Sequence, residues 1–467
     1  MTRARAALLA AATLLVLVAA RRDGWPYLRG PAPYPPEWQW GYAPKGASIG
    51  RLAPVVGLAA LLLGLAALAR HAAAGRGASW ALLTTCALAG SGLQVALLDL
   101  EPAGAVAELE RRTTSGSFTS HFKVAGGVED VGDFLSRHHE LLPAYRHGAL
   151  HAATHPPGPI LYYVWLRRLA ARLPGVVAAL GGEERAVAVG GAVLLGLLGA
   201  VACYLVAALA RALGAPAPAA LRAAVLWTLV PGLCLMVPEL DQALALPVTS
   251  AVALAAVALG SGPPAPGFAV LAAGAGALTG IAAFFSYGAP LLVLLGAAAA
   301  AAPALRTADG RRRAALFAAV AAAVAGACFF LPALFGHHPI AAARTALAIH
   351  REQFTAHRSY RLWLFSDLLD LALFLGVPVI LFAWWLPRTS FRLAAAAGVL
   401  LLVASGLIRG EMGRILVPLM PVLLVACVVA KPRPGAPQGE PSASAAMVLG
   451  ALLAATDIVL RLSWDLP

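Results

Sequence analysis

Stretches of roughly 16–24 apolar residues recur along the whole chain, each closed by a short polar or basic break. That is the length an α-helix needs to cross about 30 Å of hydrocarbon. The stretches are built from Ala, Leu, Val and Gly with no polar face, as lipid-embedded helices are, and the strict alternation of a barrel strand is absent. They fall near 6–20, 53–69, 79–98, 187–210, 221–237, 243–260, 268–285, 288–304, 314–334, 364–386, 393–407, 415–430 and 443–460. The pattern predicts an all-α polytopic membrane protein with about 13 transmembrane helices. The first stretch follows Arg3 and Arg5 and ends in Val18-Ala19-Ala20, so a cleaved signal peptide stays open as its alternative.

Charge then orients the chain. Only 12% of the 467 residues are charged, yet the formal net charge is +13. The arginines lie at the ends of apolar stretches rather than in one basic patch, so they read as topology signals and not as a nucleic-acid surface. With the N-terminus inside, the inner segments hold Arg3/Arg5, Arg70/Arg76, Arg211/Arg222, Arg306/Arg311/Arg312/Arg313, Arg388/Arg392 and Lys431/Arg433, joined by only Asp309 and Glu440 among the acids. The expected place is therefore a cell inner or plasma membrane, with the functional loops on the periplasmic or extracellular face. The five cysteines all lie within apolar stretches with no C-x-x-C spacing and read as buried thiols.

Five regions follow: N-terminal transmembrane helices (1–98), a large outer loop (99–186), a transmembrane core (187–334), a second outer loop (335–363) and C-terminal transmembrane helices (364–467). A shorter outer turn runs from Ser405 to Arg414, and the low-complexity segment 431–446 reads as an inner linker. Ten of the eleven histidines lie in the two long loops, which points to ordered, functional loops. Pro159–Pro174 mixes Tyr162, Tyr163 and Trp165 with Arg167, Arg168 and Arg172, the pattern of an amphipathic helix at the membrane interface. No P-loop, dinucleotide fingerprint or H-E-x-x-H occurs.

The stretch Thr154-His155-Pro156-Pro157-Gly158-Pro159, followed by Leu161-Tyr162-Tyr163, resembles a motif of the GT-C glycosyltransferase superfamily, in particular of bacterial relatives of dolichyl-phosphate-mannose protein mannosyltransferases. In that family the motif closes a first large outer loop carrying the catalytic carboxylate, and Glu129, Asp130 and Asp133 precede His155 here by a similar spacing. Pro231 to Asp241, the Gly-rich stretch 276–288, and Arg409-Gly410-Glu411-Met412-Gly413-Arg414 resemble further family features in the same order. Gly158, Pro159 and Ile160 interrupt the family pattern, the acid pair is Glu129-Asp130 instead of Asp-Glu, and extra helices precede the first large loop, so the resemblance is to a divergent branch.

What the resemblance implies is a transfer of a hexose or pentose from a polyprenyl-phosphate-linked donor to a glycan, lipid or protein acceptor, by one inverting displacement. Such chemistry needs a carboxylate to take the acceptor proton, cations for the leaving phosphate and an apolar groove for the prenyl tail. Asp130 is the first candidate base, with Glu129 and Asp133 behind it; each also suits a solvated loop acid. Asp241 is the second carboxylate, which equally suits the N-cap of the next helix. His155 and Tyr162 are candidates for substrate contact, and Arg409, Arg414 and Lys123 for the phosphate, with Glu411 orienting an arginine. Arg351, Arg358 and Arg361 are lesser phosphate candidates. No cofactor is expected; a divalent metal beside Asp241 stays open, while the pairs His138-His139 and His337-His338 lack the spacing of a zinc motif. The alternatives are a multi-span transporter or flippase, which would place charges within spans and show paired repeats, and a non-catalytic scaffold.

Overall fold

Stretches that must satisfy their backbone within lipid fold as helices, and in the computed structural model the chain is helical almost throughout. The structure describes residues 1–116, 118–260, 267–429 and 442–466. Most of the 431–446 linker, with Lys431, Arg433 and Glu440, lies outside the described residues. Among the described residues the strand pairing is a single antiparallel contact of Gly41–Tyr42 with Trp464–Asp465.

Among the described residues nine helices are long and apolar enough to cross a membrane, or ten if the bent pair Tyr360–Leu375 and Val377–Ala383 is one span. About thirteen were expected from the apolar stretches. Three apolar stretches make shorter helices: Ala289–Ala301, Ser390–Ser405 and Met420–Val428, with 13, 16 and 9 residues. At 1.5 Å per residue the last is only about 14 Å long. The bend of 98° in the pair falls at Gly376, whose φ of +104° is open to glycine alone.

Local chemistry sets the helix starts. The hydroxyls of Ser48, Thr307, Thr389 and Ser442 accept from the backbone N–H three residues on, at 3.4, 3.0, 3.2 and 3.2 Å, each satisfying one orphan donor of the first turn. Small residues let spans approach closely. A Cβ at Gly276 would collide with the Ala321 carbonyl, and one at Gly280 with the Cys328 side chain, so Phe268–Phe285 and Ala308–Phe330 pack backbone to backbone.

The large loop is ordered into Ala105–Thr114, His121–Ala125, Val131–Tyr145, Leu150–Thr154, Gly158–Ala170 and Pro174–Ala179. Gly158–Ala170 is amphipathic: Ile160, Tyr163 and Leu166 are buried while Trp165 and Arg168 face outward. The second loop forms Pro339–His350 and a wider turn over Arg351–Thr355.

The loops are fastened by buried charge. Glu101 Oε1 accepts from Lys45 Nζ at 2.8 Å, Arg112 Nη2 at 3.3 Å and Arg461 Nη1 at 3.3 Å, joining the segment after the first helix, the large loop and the last helix. Arg112 and Arg461 are fully buried, and Arg112 also pairs with Glu108 at 3.0 Å.

Two predictions follow from this arrangement. Residues expected outside gather at one end of the bundle and those expected inside at the other. Single cysteines at Ala144 and Ala356, both exposed, should react with an impermeant thiol reagent in intact cells, and one at Arg312 only after lysis. The reverse pattern would invert the orientation. Glu101→Gln removes the negative charge shared by three cations; breaking a buried pair costs about 3–5 kcal/mol. A large drop in the thermal unfolding midpoint of the purified protein is the expected result, and an unchanged midpoint would remove Glu101 from that role.

Candidate functional site

The site is built around Arg414, on a turn that the sequence alone would leave loose. Gly410 adopts φ +106° and Glu411 φ +58°, turning the chain sharply before the short Met412–Ile415 helix. Two buried aspartates of the Tyr360–Leu375 helix hold that turn: the Gly410 N–H donates to Asp367 Oδ1 at 3.0 Å and the Gly413 N–H to Asp370 Oδ2 at 2.7 Å. Arg414 is thereby fixed against Glu411 at 2.7 Å and Glu239 at 3.6 Å. Burial opposes its charge, but Glu411, Glu239 and Asp241 outweigh that and hold its pKa above the ordinary arginine value.

Three further segments close around it. The turn before the Leu240–Ala258 helix brings Glu239 and Asp241. The His-Pro-Pro turn brings His151, His155 and Tyr162. The segment after the first helix brings Trp38, Gln39 and Trp40. That segment is tied down by Glu37, which accepts from the Ser359 N–H at 2.8 Å and Trp363 Nε1 at 2.7 Å, while Trp40 Nε1 donates to Asp370 at 2.8 Å.

Two cavities result. A narrow recess of about 30 Å³, room for about one water, is lined by His121, His155, Tyr162, Glu239, Asp241 and Arg414, among others. A wider cavity of about 440 Å³ shares Phe118, His151, Glu239 and Arg414 with it, and adds Trp38, Trp40, Phe354, Arg358 and Glu411. Acid, base and cation thus meet at one end of the bundle under an aromatic wall.

Protonation can be read from the contacts. Burial pushes the Glu239 carboxyl up to about 7; Arg414 pulls the other way, and Asp241 and Glu411 add to the rise. Asp241 lines the recess, and no side-chain hydrogen bond or ion pair is formed by it among the described residues. His155 Nδ1 lies 2.7 Å from the His151 carbonyl, so that nitrogen donates and Nε2 is left as an acceptor. Burial holds His155 down to about 3 and His121 well below the ordinary range, so both are neutral. A neutral imidazole supplies no charge to a phosphate; His155 suits a hydroxyl instead.

The residues singled out from the sequence divide. Asp241, His155, Tyr162, Arg414 and Glu411 come together in the two cavities. Glu129, Asp130, Asp133 and Lys123 do not: they are exposed and line a separate open depression. The cause is local. Asp130 caps the Val131–Tyr145 helix, its Oδ1 accepting from the Asp133 N–H at 2.7 Å, and Asp133 pairs with Arg137 at 3.4 Å. Arg409 is also diverted: it donates to the carbonyls of Thr355 and Arg358 at 3.0 and 2.8 Å and clamps the second loop to the turn. Arg358 takes the place in the cavity wall expected of Arg409. Glu239 and the Trp38-Gln39-Trp40 wall went unread in the sequence; an acid two residues before Asp241 and a Trp-x-Trp in an outer Pro-rich segment were the signals.

The paired histidines join the two loops. His138 packs on His337 with ring centroids 5.5 Å apart, and His139 on His338 at 4.7 Å. Among the described residues no group of three or more His, Cys, Asp or Glu side chains is arranged to hold a metal ion.

Searches against protein-family models, curated proteins and solved structures return no match for this chain.

Because its pKa is raised on folding, Glu239 binds its proton more tightly in the folded protein than in the unfolded chain. Stability should therefore fall as pH rises from the ordinary 4.5 through about 7. Glu239→Gln should flatten that part of the curve of unfolding midpoint against pH. An unchanged slope would assign the titration to another group.

Proposed function

We propose that this protein is a GT-C-like membrane glycosyltransferase, moving a sugar from a polyprenyl-phosphate-linked donor to a hydroxyl acceptor. The observation that carries the reading is the meeting of Arg414 with Asp241, a carboxylate that forms no side-chain hydrogen bond or ion pair among the described residues, in one recess beside the His-Pro-Pro turn. An inverting displacement needs that pair of opposites: a base for the acceptor proton and a cation for the leaving phosphate.

In this mechanism the acceptor oxygen attacks the anomeric carbon while the bond from that carbon to the phosphate oxygen breaks. Asp241 takes the acceptor proton. The lipid phosphate departs with the electron pair, and Arg414 and Arg358 receive its charge; the planar guanidinium suits phosphate bidentately. Glu239 and Glu411 aim Arg414 and temper its charge. His155 Nε2 accepts from a sugar hydroxyl. The role of base therefore passes from Asp130 to Asp241, because Asp130 is used as a helix cap away from the recess. The exposed Phe330, Leu331, Leu334 and Phe335 at the outer end of the Ala308–Phe335 span offer an apolar flank for a prenyl tail.

The test is transfer by the purified protein from a panel of polyprenyl-phosphate-linked hexoses and pentoses. Asp241→Asn keeps size and hydrogen bonding but cannot take the proton, and loss of a positioned base costs about 10²–10⁴ in rate. Donor binding should persist. Asp130→Asn should transfer near the wild-type rate. Near-wild-type transfer by Asp241→Asn would defeat the mechanism, and loss only in Asp130→Asn would return the base to the large loop.

A further inference from the structure

The end of the bundle away from Arg414 carries a second concave site with a different charge logic. The Leu240–Ala258 span begins at the recess and ends at this second cavity, of about 630 Å³. That is within the range of about 300–1,000 Å³ usual for small-molecule sites. Ala289–Ala301 and Ser390–Ser405 are about 20 and 24 Å long, short of the roughly 30 Å of a hydrocarbon core. The first ends and the second starts beside the cavity, where the Cys203–Ala212 and Leu240–Ala258 helices also end.

The rim of the hollow is cationic. Arg306 and Arg388 line it and are exposed, and among the described residues no acid lines it. Neither arginine forms an ion pair among the described residues. Their neighbours are differently placed. Arg313 pairs with Asp309 at 3.0 Å, and Arg392 is occupied by the carbonyls of Pro387, Ala426 and Val429. The Ser390–Ser405 helix also starts at this rim, with no acid in its first turn. Thr389 satisfies the Arg392 N–H, and the N–H groups of Ser390 and Phe391 remain for an acceptor.

The floor is apolar. Leu259, Phe391 and Val429 line it, and Trp384, among the most exposed large side chains of the molecule, stands four residues before Arg388. Exposed tryptophan marks the depth of lipid headgroups. A soluble anion would use the rim and leave the floor unfilled; a lipid uses both.

We propose that this cavity binds the phosphate headgroup of an anionic membrane phospholipid, with Arg306 and Arg388 on the phosphate and an acyl chain along Leu259 and Phe391. Bound there, the lipid fills the hollow beyond the two short helices and completes the bundle at that end. The proposal is independent of the transfer reaction.

The test uses the full chain, purified in detergent and offered phosphatidylglycerol or phosphatidylcholine, with retained lipid counted by native mass spectrometry. The wild type should retain one phosphatidylglycerol in preference to phosphatidylcholine. The double variant Arg306→Gln/Arg388→Gln should weaken that retention by about tenfold or more, as expected for loss of two charge-assisted contacts. Arg311→Gln/Arg312→Gln removes two exposed arginines from the same end, outside the cavity, and should change nothing. Equal retention by the first double variant would overturn the proposal. So would equal loss in the second, which would mean a diffuse basic surface, or equal retention of phosphatidylcholine by the wild type. Full displacement of the lipid by inorganic phosphate would assign the rim to a soluble anion and also overturn it.

Discussion

Three buried cations share one carboxylate, Glu101, and the shape of the functional end depends on that sharing. Charges within a bundle are costly unless paired, and leaving one alone costs more than the pair itself gains. Lys45, Arg112 and Arg461 come from segments far apart in sequence, and Glu101 is the carboxylate that all three share. Satisfying them pulls the segment after the first helix, the large loop and the last helix to one point. The antiparallel contact of Gly41–Tyr42 with Trp464–Asp465 lies beside it, and so the Trp38-Gln39-Trp40 wall and Asp465 are delivered to the wide cavity. The hub touches no ligand, yet it decides which segments face one another.

Arg414 repeats the same physics on a smaller scale. Its turn is held by carboxylates of a neighbouring helix, Asp367 and Asp370, through backbone N–H groups rather than through charges. Because Asp370 also accepts from Trp40, the turn and the aromatic wall are tied to the same carboxylate. Packing, backbone hydrogen bonds and charge therefore converge on the position of a single guanidinium. A preorganised cation of this kind needs no rearrangement when negative charge develops nearby.

Much of the fold was legible because the bilayer restricts it. The apolar stretches do become helical; periodicity does not reveal that Gly376 bends one of them, or that three others fold as the shorter helices Ala289–Ala301, Ser390–Ser405 and Met420–Val428. At the site, the His-Pro-Pro turn, Asp241, Glu411 and Arg414 were legible from residue type and position. Asp130 misled because an acid before a helix serves as cap or as catalyst with the same local sequence, and only tertiary placement separates the two. Arg409 ranked above Arg358 by its place beside Arg414 in sequence, and only their partners reverse that order. Glu239 was invisible for a related reason: its significance lies in Arg414, 175 residues away in sequence.

Under the proposed transfer and the proposed lipid binding, the two ends of the Leu240–Ala258 span would handle anions in opposite ways, and the difference fits different residence times. At one end Arg414 is surrounded by Glu239, Glu411 and Asp241, which compensate its charge in the absence of any anion. A phosphate arriving there must compete with those carboxylates, so it is held only while its own contacts exceed theirs. A site that turns over must bind its leaving group weakly enough to let it go, because uniform tight binding slows release without lowering the barrier. At the other end Arg306 and Arg388 have no carboxylate partner among the described residues to return to when an anion departs. Losing the anion there leaves two guanidiniums above an apolar hollow, and so an occupant should stay. On those proposals, compensated charge for a transient phosphate and uncompensated charge for a resident one both follow from where the acids of the described residues fall: Glu239, Asp241 and Glu411 at one end, and at the other Asp309, already paired with Arg313.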